Sequence, residues 1–295
     1  MPPSTARARL SVLGAAALFS TGGAAIKGTA LDAFQVAGFR SGVAALALLV
    51  FLPGARRGLR PDLLPAALAY AATLVCFVTA TKLTTSAAAI FLQSTAPIWV
   101  LVLAPLLVAE PVRARDLPFV TLAAVGLGLV FLGSHTPLAT APDPVTGNLV
   151  ALASGLFYAL LMIAFRRLAR DGGAGDRSLP ATLLGNLLAF AGCLPLALPV
   201  ARISSADLAA VAYLGTIQIG LAYWLLVKGI RCLSALEVSL LLLLEPLLNP
   251  LWTWWIHGES PSPLASAGGA VMLAALTARI VFVRPIQPIS APPPD

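Results

Sequence analysis

Between Leu240 and Trp255 the chain reads LLLLLEPLLNPLWTWW, an apolar run interrupted by Glu245, Pro246, Asn249 and Pro250. A charged group near the middle of a bilayer costs roughly 2.5–3.5 kcal/mol or more, and each proline removes a backbone hydrogen bond that lipid cannot replace. These groups must therefore face protein or water. Two roles fit Glu245: a structural carboxyl that is neutral or bonds a neighbouring helix, and a proton-coupling group. Glu237 lies nearer the end of the same segment, where solvent reaches it. Proline at position i cannot donate to the carbonyl at i−4, so Pro97 would free the carbonyl of Gln93, Pro246 that of Leu242, and Pro250 that of Pro246. Freed carbonyls, with the Gln93 side chain, suit the ammonium of a small solute, and the kinks suit hinges. A packing motif whose carbonyls are satisfied by Ser, Thr or water fits the same prolines.

Other chemistries find little support. The two histidines, His135 and His257, lie near loops and pair with no nucleophile or metal-ligand motif. Cys76, Cys193 and Cys232 fall in apolar runs without CxxC spacing and read as small buried hydrophobes. Neither an enzyme nor a cofactor or metal site is expected.

The elements that position these residues follow from composition. Of 295 residues, 59% are hydrophobic and 11% charged, with a mean hydropathy of +0.91, against about 25% charged in an ordinary soluble domain. A bilayer is the solvent, and the net charge of +7 then sets membrane orientation and implies no nucleic-acid partner. Apolar segments of about 20 residues, enough to span, run approximately over 10–30, 33–53, 62–82, 84–108, 116–135, 146–168, 179–199, 207–230, 234–256 and 263–283. The first is read as a retained helix rather than a signal peptide. With both termini in the cytoplasm, only Lys27, Arg40, Lys82 and Arg202 of the 19 Lys and Arg fall in outer halves or loops, the bias expected of cytoplasmic loops. A multi-pass protein of a bacterial cytoplasmic (inner) membrane is expected.

Helical spacing groups the polar and aromatic positions into stripes: Tyr70, Thr73 and Phe77; Ser86, Ile90, Gln93 and Pro97; Ser154, Tyr158, Met162 and Phe165; Ser239, Leu242, Pro246, Asn249 and Thr253. Ser20, Tyr70, Thr73, Phe77, Gln93, Tyr158, Phe165, Tyr223 and Asn249 are the candidate cavity residues, with packing beside small residues as the other role for Tyr158 and Tyr223. Tyr213, Trp254 and Trp255 read as interfacial aromatics. Arg40 reads as a snorkelling or helix-bridging cation rather than a solute ligand. Small residues in GLGLVFLG (126–133) and SAGGAVMLAA (266–275) suit close helix packing within one chain, so a monomer is the expected state.

Sliding the chain by about 149 residues lays Thr85–Pro111 on Ser234–Ser260, with Leu92 on Leu241, Pro97 on Pro246 and Glu110 on Glu259. Five helices per copy is an odd number, so the copies would enter the membrane in opposite senses, a construction that puts a solute site at the midplane and permits alternating access. The expected fold is all-α and integral to the membrane: ten transmembrane helices as two inverted-topology repeats of five around a central substrate cavity. The divisions are 1–134, an external linker 135–146, 147–283 and a Pro-rich cytoplasmic tail 284–295. Glu110 and Glu259 would cap helix ends at opposite faces.

The stretch GLAYWLLVKGIRCLSALEVSLLLLLEPLLNPLWTWWIHGESPSPLASAGG (220–269) resembles the EamA repeat of the drug/metabolite transporter superfamily. It shares an aromatic-rich helix, a link before Ser-Ala, a mid-helix Glu-Pro, then Gly-Glu. TKLTTSAAAIFLQSTAPIW, AEP and VGLGLVFLG repeat the pattern more loosely, and LFSTGGAAIK resembles the opening motif, with Phe19 and Ser20 in place of Trp-Gly. The resemblance implies ten helices, a central cavity and carriage of small metabolites. Aromatic and polar faces without a dense charge cluster resemble amino-acid exporters of the YddG type, so export of aromatic and other neutral amino acids is the expected function. A carrier of another metabolite or drug class, or a passive channel, is the alternative.

Overall fold

The computed structural model describes residues 5–108, 114–170, 177–230 and 241–282, together with Leu233 and Val238. Glu110, Glu237, Cys232, Ser239 and the 284–295 tail lie outside the described residues. Among the described residues the chain is helical and contains no strand.

Helices α1 (Thr5–Ser20) and α2 (Gly22–Lys27) form one apolar stretch broken at Thr21, whose hydroxyl turns back to the Leu18 carbonyl at 2.7 Å. A capping box then starts α3 (Ala33–Phe51): the Asp32 side chain accepts from Gln35 N, and the Gln35 side chain accepts from Asp32 N. Helix α4 (Leu64–Leu83) is followed by α5 (Ser86–Gln93), started by the Thr85 hydroxyl, and α6 (Ala96–Val108). Next come α7 (Leu117–Gly133), the long α8 (Pro144–Arg170) and α9 (Ser178–Ala197). Helix α10 (Ser205–Tyr213), capped by Ser204 and Asp207, widens into a π-helical segment, Leu214–Leu221, before α11 (Ala222–Ile230). Helix α12 (Leu244–His257) ends at Gly258, whose φ of 65° suits a residue without a Cβ, and α13 (Pro263–Phe282) completes the described chain.

Among the described residues seven stretches are long and apolar enough to cross a membrane: Ala6–Lys27, Ala33–Phe51, Pro61–Leu83, Ser86–Leu103, Pro144–Phe165, Ser178–Ala197 and Ser205–Leu226. Leu117–Gly133 is a shorter apolar helix. The largest packing interfaces join early helices to late ones: α4 lies on α8 and α9, α3 on α9, α1 on α11, and α7 on α13. Small residues make the last of these possible. A Cβ added at Gly126 would stand 2.7 Å from the Gly268 carbonyl, and one at Gly268 2.6 Å from the Gly126 carbonyl, so the two backbones nearly touch. Gly126 of GLGLVFLG and Gly268 of SAGGAVMLAA thus face each other within the chain.

Candidate functional site

At the end of the bundle where α2, α4 and α12 finish and α5, α8 and α13 begin, polar groups form a closed network. Lys27 Nζ lies 2.9 Å from Glu259 Oε2, with side chains only 3% and 1% exposed. Lys27 also donates to the carbonyls of Thr84 and Thr140. Glu259 Oε1 accepts from Ser86 N at 2.7 Å, capping the start of α5, while Ser86 Oγ donates to Asn249 Oδ1. Gly23 lies directly over this pair: a Cβ there would collide with Ser86 Oγ and stand 2.8 Å from Asn249 Oδ1. Thr84 Oγ1 donates to Asn148 Oδ1 at 2.7 Å, and Asn148 Nδ2 to the Ser134 carbonyl at 3.1 Å. His257 Nε2 is 2.8 Å from the Ala24 carbonyl, and Lys82 holds Thr29. An ammonium and a carboxylate so deeply buried are tolerable because each is paired and further hydrogen-bonded.

Deeper in the bundle, aromatic rings converge from both halves of the chain. Tyr223 on α11 meets Phe19 on α1 edge-to-face, with centroids 5.4 Å apart, and Tyr70 on α4 with centroids 6.4 Å apart. Tyr158 on α8 and Glu245 on α12 lie within electrostatic reach of this group: Tyr223 senses Tyr70, Tyr158 and Glu245, and Tyr158 senses Glu245 and Tyr70. Tyr158 is 42% exposed and Tyr70 only 3%, so the cluster grades from open to buried. Glu245 has no hydrogen bond or ion pair among the described residues. Phe165 packs at the edge of the apolar cluster that contains Tyr70.

The remaining predicted residues are tied into contacts between helices. Ser20 Oγ donates to the Ala17 carbonyl and accepts from Trp252 Nε1 at 2.9 Å. Thr73 turns its hydroxyl back to the Ala69 carbonyl, and its own carbonyl accepts from Ser154 Oγ. Gln93 Nε2 donates to the same Ser154 Oγ at 2.8 Å, so α5 is stitched through α8 to α4. Phe77 packs against two apolar clusters. Asn249 is 1% exposed and bonded to Ser86, a position in the closed network rather than on a cavity wall.

The prolines stand differently from the sequence expectation. Helix α5 ends at Gln93 and α6 restarts at Ala96, so Pro97 occupies the first turn of α6. Pro246 likewise occupies the first turn of α12, after Leu243. As first-turn residues neither proline loses a bond within its own helix, but neither can donate back to the carbonyl four residues earlier, Gln93 or Leu242, so the helical chain on the N-terminal side breaks just upstream, at Ser94–Thr95 and at Leu243. Two hydroxyls reinforce the end of α5: Ser94 Oγ donates to the Ile90 carbonyl at 2.8 Å and Thr95 Oγ1 to the Leu92 carbonyl at 2.6 Å, carbonyls that the backbone N–H groups of the same two residues also reach. Gly155 of α8 presses on it, with an added Cβ 3.1 Å from the carbonyls of Leu92 and Gln93. Pro97 itself lines a groove with Phe119, Ala275 and Arg279, between α6, α7 and α13. Of the three predicted prolines, Pro250 alone is interior to its helix, followed by Thr253 Oγ1 donating to the Pro250 carbonyl at 3.1 Å.

Three features were not anticipated. The Lys27–Glu259 pair joins residues far apart in sequence, and only the presence of charge inside apolar segments hinted at it. Arg40 does not snorkel: it is 2% exposed, with Nε unpartnered. Tyr213, expected at the interface, hydrogen-bonds Thr21 at the α1–α2 break at 2.8 Å.

Apolar helices of spanning length, with polar groups gathered inside the bundle, define a multi-pass helical membrane protein. The EamA-like transporter family matches residues 7–132 and again 145–279, and the chain belongs to that family, within the drug/metabolite transporter superfamily. A solved crystal structure 20% identical in sequence superposes with a TM-score of 0.64, covering 95% of this chain and 99% of that one, and so shares its fold. No curated protein matches.

Proposed function

We propose that this protein is a carrier of the bacterial inner membrane that exports small zwitterionic metabolites, aromatic and other neutral amino acids foremost, by alternating access. The observation that carries the reading is the convergence of Phe19, Tyr70, Tyr158 and Tyr223 with Glu245, drawn from both halves of the chain. Ring faces suit an aromatic side chain, and isolated hydroxyls with a carboxyl suit an amino-acid head group. In this reading α7, α12 and α13 complete ten spans, the halves are inverted repeats, and both termini are cytoplasmic, as in amino-acid exporters of the YddG type.

The closed network around Lys27 and Glu259 is then the external gate, and the cluster opens toward the cytoplasm through the more exposed Tyr158. The breaks at Ser94–Thr95 and Leu243 are the hinges, placed in register by the repeat. Carriage by a monomer needs no cofactor. The test is a panel of radiolabelled solutes in proteoliposomes. Saturable, counter-substrate-stimulated amino-acid flux is expected; nucleotide sugars or lipid head groups moving in place of amino acids would overturn the substrate class, and flux linear in concentration would make the protein a channel.

A further inference from the structure

Among the described residues Arg40 is the largest fully buried side chain. It sits seven residues into α3, about 10 Å from the helix start at ~1.5 Å per residue, on a face shared with Ala37, Ala44 and Leu48, all wholly buried. Among the described residues its guanidinium makes no ion pair and no hydrogen bond, and Nε is sealed from solvent without an acceptor. Tyr70 and Cys193 are its electrostatic neighbours; neither supplies a negative charge at neutral pH. A buried guanidinium without an anion is an expensive object inside a membrane protein, since a charge taken from water without a partner loses its solvation uncompensated.

The surroundings are short of the same thing. Asn186 Nδ2 donates to Tyr70 Oη at 3.2 Å, which fills an acceptor position on that oxygen and leaves the phenolic hydrogen to be donated elsewhere. The local inventory is thus a fixed cation and one phenolic hydroxyl, a pair able to take the oxygens of one carboxylate. Tyr70 also joins this pocket to the aromatic cluster, because its ring faces Tyr223, which in turn senses Glu245. Arg40 and Glu245 do not pair with each other, so a cationic site and an acidic one stand unneutralised on either side of the Tyr70–Tyr223 contact.

We infer that Arg40, with the hydroxyl of Tyr70, binds the carboxylate of the transported solute, while Glu245 faces its ammonium group. The inference rests on the reading of the protein as an amino-acid carrier and names the group that recognises the acid end. It reverses the assignment of Arg40 as a bridging cation.

The test uses the full chain in proteoliposomes, loaded for counterflow of labelled phenylalanine, with phenylalanine and phenylalaninamide as competitors. The amide keeps the ring and the amine and lacks the carboxylate. In the native protein the amide should compete about tenfold less well or worse, the loss expected of a charge-assisted hydrogen bond worth at least ~1.4 kcal/mol. Arg40→Gln should weaken phenylalanine by a similar factor, leave the amide unchanged and so erase the preference. Arg40→Lys should fall between. Equal competition by acid and amide in the native protein overturns the inference, whether or not Arg40→Gln folds, and so does an undiminished acid preference in a well-folded Arg40→Gln protein.

If the native protein carries no amino acid, the functional reading fails separately. Thermal stabilisation then decides the inference. Stabilisation by phenylalanine or 3-phenylpropionate in the native protein, its reduction in Arg40→Lys and its loss in Arg40→Gln would uphold the carboxylate site; no carboxylate-dependent stabilisation would overturn it.

Discussion

Replacing Glu259 with Gln removes one charge from the Lys27–Glu259 pair while keeping an oxygen to accept from Ser86 N. Lys27 would then be an ammonium with a side chain 3% exposed and no anion, held only by the Thr84 and Thr140 carbonyls. Loss of one partner of a buried pair costs about 3–5 kcal/mol, and the surviving carbonyl bonds favour the lower figure. At about 2–4 °C per kcal/mol, Glu259→Gln should lower the melting temperature in detergent by roughly 6–12 °C. Lys27→Met with Glu259→Gln removes both charges and should recover most of that loss, because the pair rather than either residue carries the energy.

The same pair should hold the gate. About 3 kcal/mol corresponds to roughly a hundredfold in a two-state equilibrium. Ala87, 1% exposed beside the network, provides the probe when replaced by Cys in a protein without Cys76, Cys193 and Cys232. An impermeant maleimide added from outside should label it at least about ten times faster in Glu259→Gln, a fraction of the full population shift. A native melting temperature in Glu259→Gln, or single effects that simply add in the double variant, would refute the energetic argument. Destabilisation with unchanged labelling would refute the gate.

Gly155→Ala should be felt at the α5–α6 break, since its Cβ would meet Thr95 Oγ1 at 2.6 Å; overpacking of this kind costs about 1–3 kcal/mol, read as a fall in melting temperature. Pro97→Ala with Pro246→Ala lets each interrupted helix run through and should leave expression intact while slowing efflux by about tenfold, equivalent to ~1.4 kcal/mol; native efflux in a well-expressed double variant would exclude the hinges. Tyr158→Phe removes one hydroxyl from the cluster and should raise the half-saturation concentration for amino acids about two- to tenfold, the worth of one hydrogen bond of about 0.5–1.5 kcal/mol. No change in counterflow kinetics would remove Tyr158 from the solute site.

Much of the helical framework was legible because a bilayer imposes a length and a composition on whatever crosses it, and α3, α4 and α9 begin and end close to the apolar segments that announced them. Breaks were harder. Proline advertised an interruption near 97 and 246, but the turn falls at Ser94–Thr95 and Leu243, because a first-turn position suits a residue without an N–H. The π-helical segment Leu214–Leu221 left no mark in the sequence, since its extra residue per turn has no residue-type signature. Tyr70, Tyr158 and Tyr223 were singled out by asking which polar rings sit deep in apolar helices, and the structure brings them near one another. Asn249 was found by the same question and given the wrong setting, because Gly23 on a distant helix creates the space that lets it meet Ser86. The snorkelling reading of Arg40 failed for a related reason: spacing gives depth along a helix but not which neighbours close over it.

The glycine seam between α7 and α13 bears on how the protein is made. By the time α7 has left the ribosome, its Gly126 face has nothing to rest on, because Gly268 and Met272 are still well over a hundred residues from synthesis. The principal partners of α1, α3 and α4 are also late helices. The first half must therefore wait in the membrane with its small-residue faces against lipid, soluble there but unassembled. A chain stopped before α13 would keep that unfinished face permanently, a natural mark by which membrane proteases could tell an abandoned product from a completed one.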